Sequence, residues 1–327
     1  MDHRAGPARW CLKSSVFRAL ITLGLLLRAL AASAAEGDGD AAKASAAARD
    51  LYLSGRYEEA AQAYEKLAEL SALDTVHWTR CKEAIGDRNG AIALLTDARR
   101  AKPEQPLFPG ELSLLQLEAG DYEAAKRFAD QALALDDNSV PARWVSAEFD
   151  RLHGKLDEAL NGYEGLVDYY SSGAAIASSE DRRLIGLAAA QYARWSRNHQ
   201  QFKQLVSDFY PEIVSREPKF WPAHLEMARL FAEKYNEADA TAAIHAGLAI
   251  NPHAADLHVL RAQLALDRFD LATARSAIVR ALAIHPRHIG AIRTKADILL
   301  ADVRPAEAIP VLEEARGLKP GDEEILG

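Results

Sequence analysis

Two cysteines and two methionines are all the sulfur in 327 residues, and 19 glycines with 13 prolines make up about a tenth of the chain. So small a share of glycine and proline excludes a collagen-like or low-complexity polymer. Basic blocks are missing as well. The 39 Lys and Arg are outnumbered by 47 Asp and Glu, for a net charge of −8. Phosphate backbones are held by clustered cations, so nucleic acid is not expected as the main partner. Beyond residue 35 no apolar run approaches the roughly 20 residues that a membrane-crossing helix needs. No transmembrane span is expected.

Catalytic spacings are absent too. After residue 35 there is no His-Glu-x-x-His, Gly-x-Ser-x-Gly, glycine-rich phosphate loop or Cys-x-x-Cys, the patterns behind metal, acyl-transfer, nucleotide and redox chemistry. The expectation is therefore no catalytic residue, no metal and no cofactor. Cys81 stands alone beyond the first 35 residues and reads as a small buried hydrophobe. His285 and His288 flank Pro286 and read as exposed turn residues. Trp78, Trp144, Trp195 and Trp221 read mainly as core.

The first 35 residues carry a different pattern. Arg4, Arg9, Lys13 and Arg18 precede an apolar stretch from Ala19 to Leu27, and Ala32-Ser33-Ala34 follows Arg28. A basic region, a short apolar run and small residues make a cleavable signal peptide, so export to the periplasm or medium is expected, with cleavage near Ala34/Ala35. The alternative is an uncleaved anchor that tolerates Arg28.

What the chain has in excess is alanine, the best helix former, at roughly a fifth of the residues. The alanines recur with a fixed period. Ala228, Ala262 and Ala296 are each 34 apart, as are Ala240, Ala274 and Ala308. Gly247, Ala281 and Ala315 keep the same spacing, and so do Ile250, Ile284 and Leu318, and Pro252, Pro286 and Pro320. Earlier in the chain Gly55-Arg56-Tyr57, Gly86, Gly120-Asp121-Tyr122 and Gly154 mark four more units at intervals of 31, 34 and 34. This pattern resembles the tetratricopeptide repeat, a helix–turn–helix unit of 34 residues.

The resemblance implies an all-α, right-handed α-solenoid. Helices of about 14 residues are marginal alone and hold by stacking on neighbouring units. Only a small residue fits where two helices of a pair cross closely. The expected layout is a tail at 36–40, units 1–4 over 41–173, a loop at 174–182, a long degenerate repeat at 183–220 and units 6–8 over 221–321. Residues 322–327 would begin a further helix. In the fifth unit Pro211 is expected to kink or end the second helix near Tyr210. The turns at Tyr235, Phe269 and Val303, where earlier units have glycine, are expected to be built differently, unless the repeat register slips there by a residue or two.

By resemblance, first helices line a concave groove that takes a peptide or partner helix. Its positions here hold Trp144, Glu148 and Arg151, then Arg229, Leu260, Gln263, Arg293 and Asp297. The family's carboxylate-binding Lys and Asn are replaced by Leu225 and Arg229, Val259 and Gln263, and Arg293 and Asp297. A non-catalytic scaffold for a protein or peptide is the expected function, with self-association through an open C-terminal repeat a further expectation. The alternative is the accessory array of a larger exported enzyme with a metallopeptidase-like domain beyond residue 327.

Overall fold

The computed structural model describes residues 40–319, Ala177 and Tyr235 excepted. The expected signal peptide, tail residues 36–39 and the segment from Pro320 onward lie outside these residues. Asp40, expected in the tail, is already helical. Every regular element among the described residues is a helix.

The helices come in antiparallel pairs. The first four are α1 (40–53) with α2 (Tyr57–Glu65), α3 (Ala72–Ala84) with α4 (Arg88–Ala101), α5 (Leu107–Ala119) with α6 (Tyr122–Leu135), and α7 (Val140–Leu152) with α8 (Leu156–Ser171). In the fifth, α9 (Ser179–Trp195) faces α10 (His199–Gln204) and α11 (Tyr210–Arg216). The last three are α12 (Pro222–Glu233) with α13 (Glu237–Ile250), α14 (Ala255–Asp267) with α15 (Leu271–Ile284), and α16 (Ile289–Ala301) with α17 (Pro305–Leu318). The periodic alanines explain the pairing. Ala228, Ala262, Ala296, Ala240, Ala274 and Ala308 are all completely buried, so a larger side chain would push the crossing helices apart.

The turn inside each pair is the same wherever its residues are described. In the third unit the Gly120 amide donates to the Leu117 carbonyl and the Asp121 amide to Gln116, with Gly120 left-handed at φ 80°. This double closure is the Schellman arrangement. The expectation of different turns in the C-terminal units is corrected here. Phe269 and Val303 adopt φ 57° and 58° and make the same two bonds, to Leu266 and Leu300, followed by Asp270 to Ala265 and Arg304 to Leu299. Packing of the helix pair imposes the turn, and the side chain tolerates it. Tyr235 lies outside the described residues.

The fifth unit departs from the rest in two ways. Helix α9 starts at Ser179, within the expected loop and four residues before Arg183, because the Ser178 side chain caps it by accepting from the Asp181 amide. The second arm continues past Pro211, but Leu205–Phe209 form a π turn just upstream. Pro211 has no N–H to donate, and a widened turn absorbs that loss. The phenol of Tyr210 then lies against Gly186, where a β-carbon would stand 2.5 Å from its oxygen.

The long fifth unit brings distant units together. Leu53 and Tyr52 of the first pair belong to the same apolar cluster as Phe202, Phe220, Trp221 and Leu225. Arg49 pairs with Glu217, and Asp50 with Lys219 at 3.0 Å. The Asn251 amide donates to the Tyr57 hydroxyl at 2.8 Å. Gly55 is required at this seam, since a β-carbon there would lie 1.8 Å from Asn251 Oδ1. The array closes into a ring, with its first pair seated on its sixth.

Candidate functional site

Closure faces the first helices of several units toward a common centre. From them projects a continuous chain of alternating charges. Arg80 on α3 donates to Glu111 on α5 at 2.8 Å and reaches Glu180 on α9 at 3.4 Å. Glu180 pairs with Arg183 at 2.6 Å, Arg183 with Glu226 on α12 at 3.1 Å, and Glu226 with Arg229 at 3.2 Å. Arg229 then meets Asp256 on α14 at 3.1 Å, and Asp256 lies 3.6 Å from His288 Nε2. Arg80 bridges the second and fifth units, which are far apart along the solenoid.

Each charge is tuned by this setting. Burial opposes ionisation of Glu180, but Arg183 and Arg80 bring its pKa down to about 2. Burial wins at Glu111, whose pKa is raised despite Arg80. At His288 burial opposes the charge and the Asp256 carboxylate overrides it, so the imidazole titrates above its ordinary value. Four carboxylates thus face three guanidiniums and an imidazole that favours protonation. This ladder of eight groups is close to neutral when His288 is charged.

The ladder lines a cavity of about 340 Å³, whose apolar wall includes Leu114, Leu115, Trp221 and Ile284. Glu118, Glu83, His253 and His285 also reach it. Glu118 is exposed on α5, yet desolvation by the surrounding wall and the like charge of Glu83 push its carboxyl up. The expectation that His285 and His288 are exposed turn residues is corrected: both line the cavity, and His288 caps α16 by accepting from the Ala291 amide. Cys81 is completely buried, and burial pushes its thiol up to about 12. Among the described residues no group of His, Cys, Asp and Glu is placed to hold a metal, and no helix is long and apolar enough to cross a membrane.

No family model and no curated protein matches the chain by sequence. Solved structures do match it by shape. The APC/C hetero-tetramer Cut9–Hcn1 aligns with a TM-score of 0.52 at 14% identity, covering 85% of this chain and 53% of that one. The present chain therefore spans about half the length of that neighbour. A tetratricopeptide repeat protein from Parabacteroides merdae aligns at 20% identity and a TM-score of 0.47, over 78% of this chain and 95% of its own. The human IFIT1 dimer with PPP-AAAA aligns at 17% identity and 0.43, over 80% and 68%. What the likeness shows is the fold: an all-α solenoid of paired helices, similar to tetratricopeptide-repeat structures.

Within this solenoid the eight expected groove residues do not form one patch. Trp144 is buried against Tyr163 with ring centroids 5.8 Å apart. Glu148 is buried too, accepting from the Tyr163 hydroxyl and pairing with half-buried Arg151 at 3.1 Å. Leu260 is core. Arg229, Gln263 and Asp297 are exposed at equivalent places on α12, α14 and α16, and Arg293 is half-buried. The Gln263 amide also donates to Thr294 at 3.4 Å. Of the eight, Arg229 alone lines the central cavity. Sequence reasoning missed Arg80, Glu111 and Glu118, although they occupy positions 9, 6 and 13 of the second and third units. Applying the groove rule to those units would have found them.

Proposed function

We propose that this tetratricopeptide-repeat array is a non-catalytic scaffold that binds a protein or peptide partner along its C-terminal first helices. One observation carries this reading: Arg229, Gln263 and Asp297 recur every 34 residues on three successive first helices, and all three are exposed. The inner helices of the second and third units are occupied by the chain's own charges. Half-buried Arg293 extends the surface on α16, and Leu260 lies in the core beneath it on α14. An extended peptide suits such a ladder, because one contact per unit matches an exposed row of polar groups. A protein partner also agrees better than nucleic acid with the acidic balance of the chain. Export with cleavage near Ala34/Ala35 belongs to the same proposal, and N-terminal sequencing of the mature protein checks it.

A photo-crosslinking amino acid placed at Gln263 or Asp297 in the producing cell should capture a discrete partner. The same group at outward-facing Val279, 69% exposed on α15, should not. Crosslinks from Val279 alone, or equal capture from both faces, would overturn the choice of surface.

A further inference from the structure

The exposed apolar side chains gather on one edge of the array. Among the described residues ten large hydrophobic side chains are exposed. Six of them, Ile85, Leu156, Trp195, Phe269, Leu300 and Val303, lie within three residues of a left-handed turn between the helices of a pair. Pairs stacked side by side put all these turns on the same rim. Two of the six burden the fold twice. Phe269 and Val303 are the most exposed of the ten, and they hold φ 57° and 58° where Gly120 and Gly154 serve without strain. A glycine there would relieve both burdens, so these side chains are explained by what they meet outside the fold.

The charges beside the tips choose the partner. From the fourth unit to the eighth, each turn carries a cation at its central residue or next to it: Lys155, Arg197, Lys234, Arg268 and Arg304. In the second and third units the same flank is acidic, with Asp87 and Asp121. The carboxylates that do flank the later turns are engaged. Asp270 accepts from the Thr273 amide at 3.1 Å, and Asp302 pairs with Arg275 at 2.7 Å. Lys155, Lys234, Arg268 and Arg304 pair with Asp150, Glu233, Glu237 and Glu307, yet all four cations remain exposed. Ion pairs of that kind hold weakly, so each cation can exchange its carboxylate for a phosphate at little cost.

A protein interface is built on a contiguous apolar centre inside a polar rim. Here, among the described residues, each tip is one or two apolar side chains flanked by polar ones. A bilayer surface suits that pattern. Isolated apolar tips enter the acyl boundary, and the cation beside each meets the phosphate layer above it. The row is also long, one tip after another, and a lipid surface extends as far as the row does. We propose that the turn rim of the fourth to eighth units is a peripheral docking edge for a bilayer containing anionic phospholipid, with Phe269 and Val303 inserted. The edge does not depend on the partner surface at Gln263 and Asp297, and it stands if that surface fails.

A reporter on the rim of the full chain tests this. Cys81 is completely buried, so a Cys11→Ser background leaves one introduced thiol to carry a polarity-sensitive NBD group. At Phe269→Cys or Val303→Cys its emission should brighten and shift to the blue when vesicles of phosphatidylcholine with about 30% phosphatidylglycerol are added. At Val279→Cys, on the outward face of α15, it should not change. Pure phosphatidylcholine and molar salt should each weaken the response. With the reporter at Leu300→Cys, adding Arg268→Gln and Arg304→Gln should raise the lipid needed for half the response about tenfold. Adding Phe269→Gly and Val303→Gly instead should raise it at least about tenfold, while the melting temperature stays equal or rises. No change at either rim position, an equal change at Val279→Cys, or a response unaltered by the two glycines would overturn the proposal. A change that follows protein concentration without lipid would assign the edge to a second copy and overturn it as well.

Discussion

The first four units and the last two make one turn from opposite materials. Gly55, Gly86, Gly120 and Gly154 take positive φ without steric cost, whereas Phe269 and Val303 adopt it against their side chains. Phe269 and Val303 are also among the most exposed apolar residues, at 78% and 85%. The turn is thus set by how two helices pack, and residue choice only changes the strain stored there. The two regions differ in anchoring as well. The N-terminal units are held by their neighbours and, across the ring, by the fifth and sixth units. Among the described residues the helix pair α16 and α17 shares no apolar cluster with the N-terminal units, although Lys319, just past α17, lies against Gly120 of the third unit.

Removing the cross-ring anchor should break this contrast most severely. Arg80→Ala leaves Glu111 and Glu180 buried without their shared cation, a loss expected to cost about 3–5 kcal/mol. Hydrogen exchange should show α1 to α5 losing far more protection than α14 to α17. Arg56→Ala, which removes an exposed pair with Glu59, should change nothing measurable. Uniform loss along the chain after Arg80→Ala would deny that the N-terminal half has its own fastening.

Acid should pick out the same half more gently. His77 on α3 stacks on Tyr52 of α1 with ring centroids 5.1 Å apart. Burial, then Arg80 and Arg49, lower its pKa to about 3, with Asp74 and Glu180 opposing them. Between pH 6.5 and 3 the unfolded chain takes up a proton that the folded one refuses, so stability falls as pH drops through this window. At pH 4.5 the loss from this residue should be about 2–3 kcal/mol. Urea unfolding at pH 7 and 4.5 should show a shallower acid loss in His77→Gln than in the parent. Identical losses would remove His77 from the account.

The smallest effects should sharpen the contrast between turns. A β-carbon at Gly154 would meet nothing within 4 Å, so Gly154→Val tests backbone strain alone and should cost about 1–2 kcal/mol. The mirror change, Val303→Gly, should stabilise by about 0.5–1 kcal/mol after the added freedom of the unfolded chain is counted. Thermal melts with both changes of the same sign would show that side-chain contacts, not φ, govern these turns.

Much of the solenoid was legible because the period of 34 repeats a packing requirement. Ala240, Ala274 and Ala308 had to be small, and all three are fully buried. The candidate site was legible in parts. Position 9 gives Arg80 in the second unit and Arg229 in the sixth, but no spacing reveals that Arg80 faces Glu180. That contact depends on small rotations accumulated between successive units, and on a fifth unit whose π turn follows no repeat rule. Trp144 misled for a related reason. Its spacing is that of a groove position, yet the ring packs on Tyr163 from the second helix of its own unit, and Tyr163 in turn meets the Trp195 ring of the next.

The seam at Tyr57 and Asn251 has a mechanical consequence. An open stack of helix pairs carries load in series, so a pull on its ends extends it like a spring, one contact at a time. Here the pairs from the first to the sixth are bolted into a loop by Leu53, Arg49, Asp50 and Tyr57. Tension applied through the first pair is shared between the backbone path and the seam. Neither path can lengthen until several short-range contacts shear together, which makes this stretch a stiff washer and leaves compliance to the pairs beyond it.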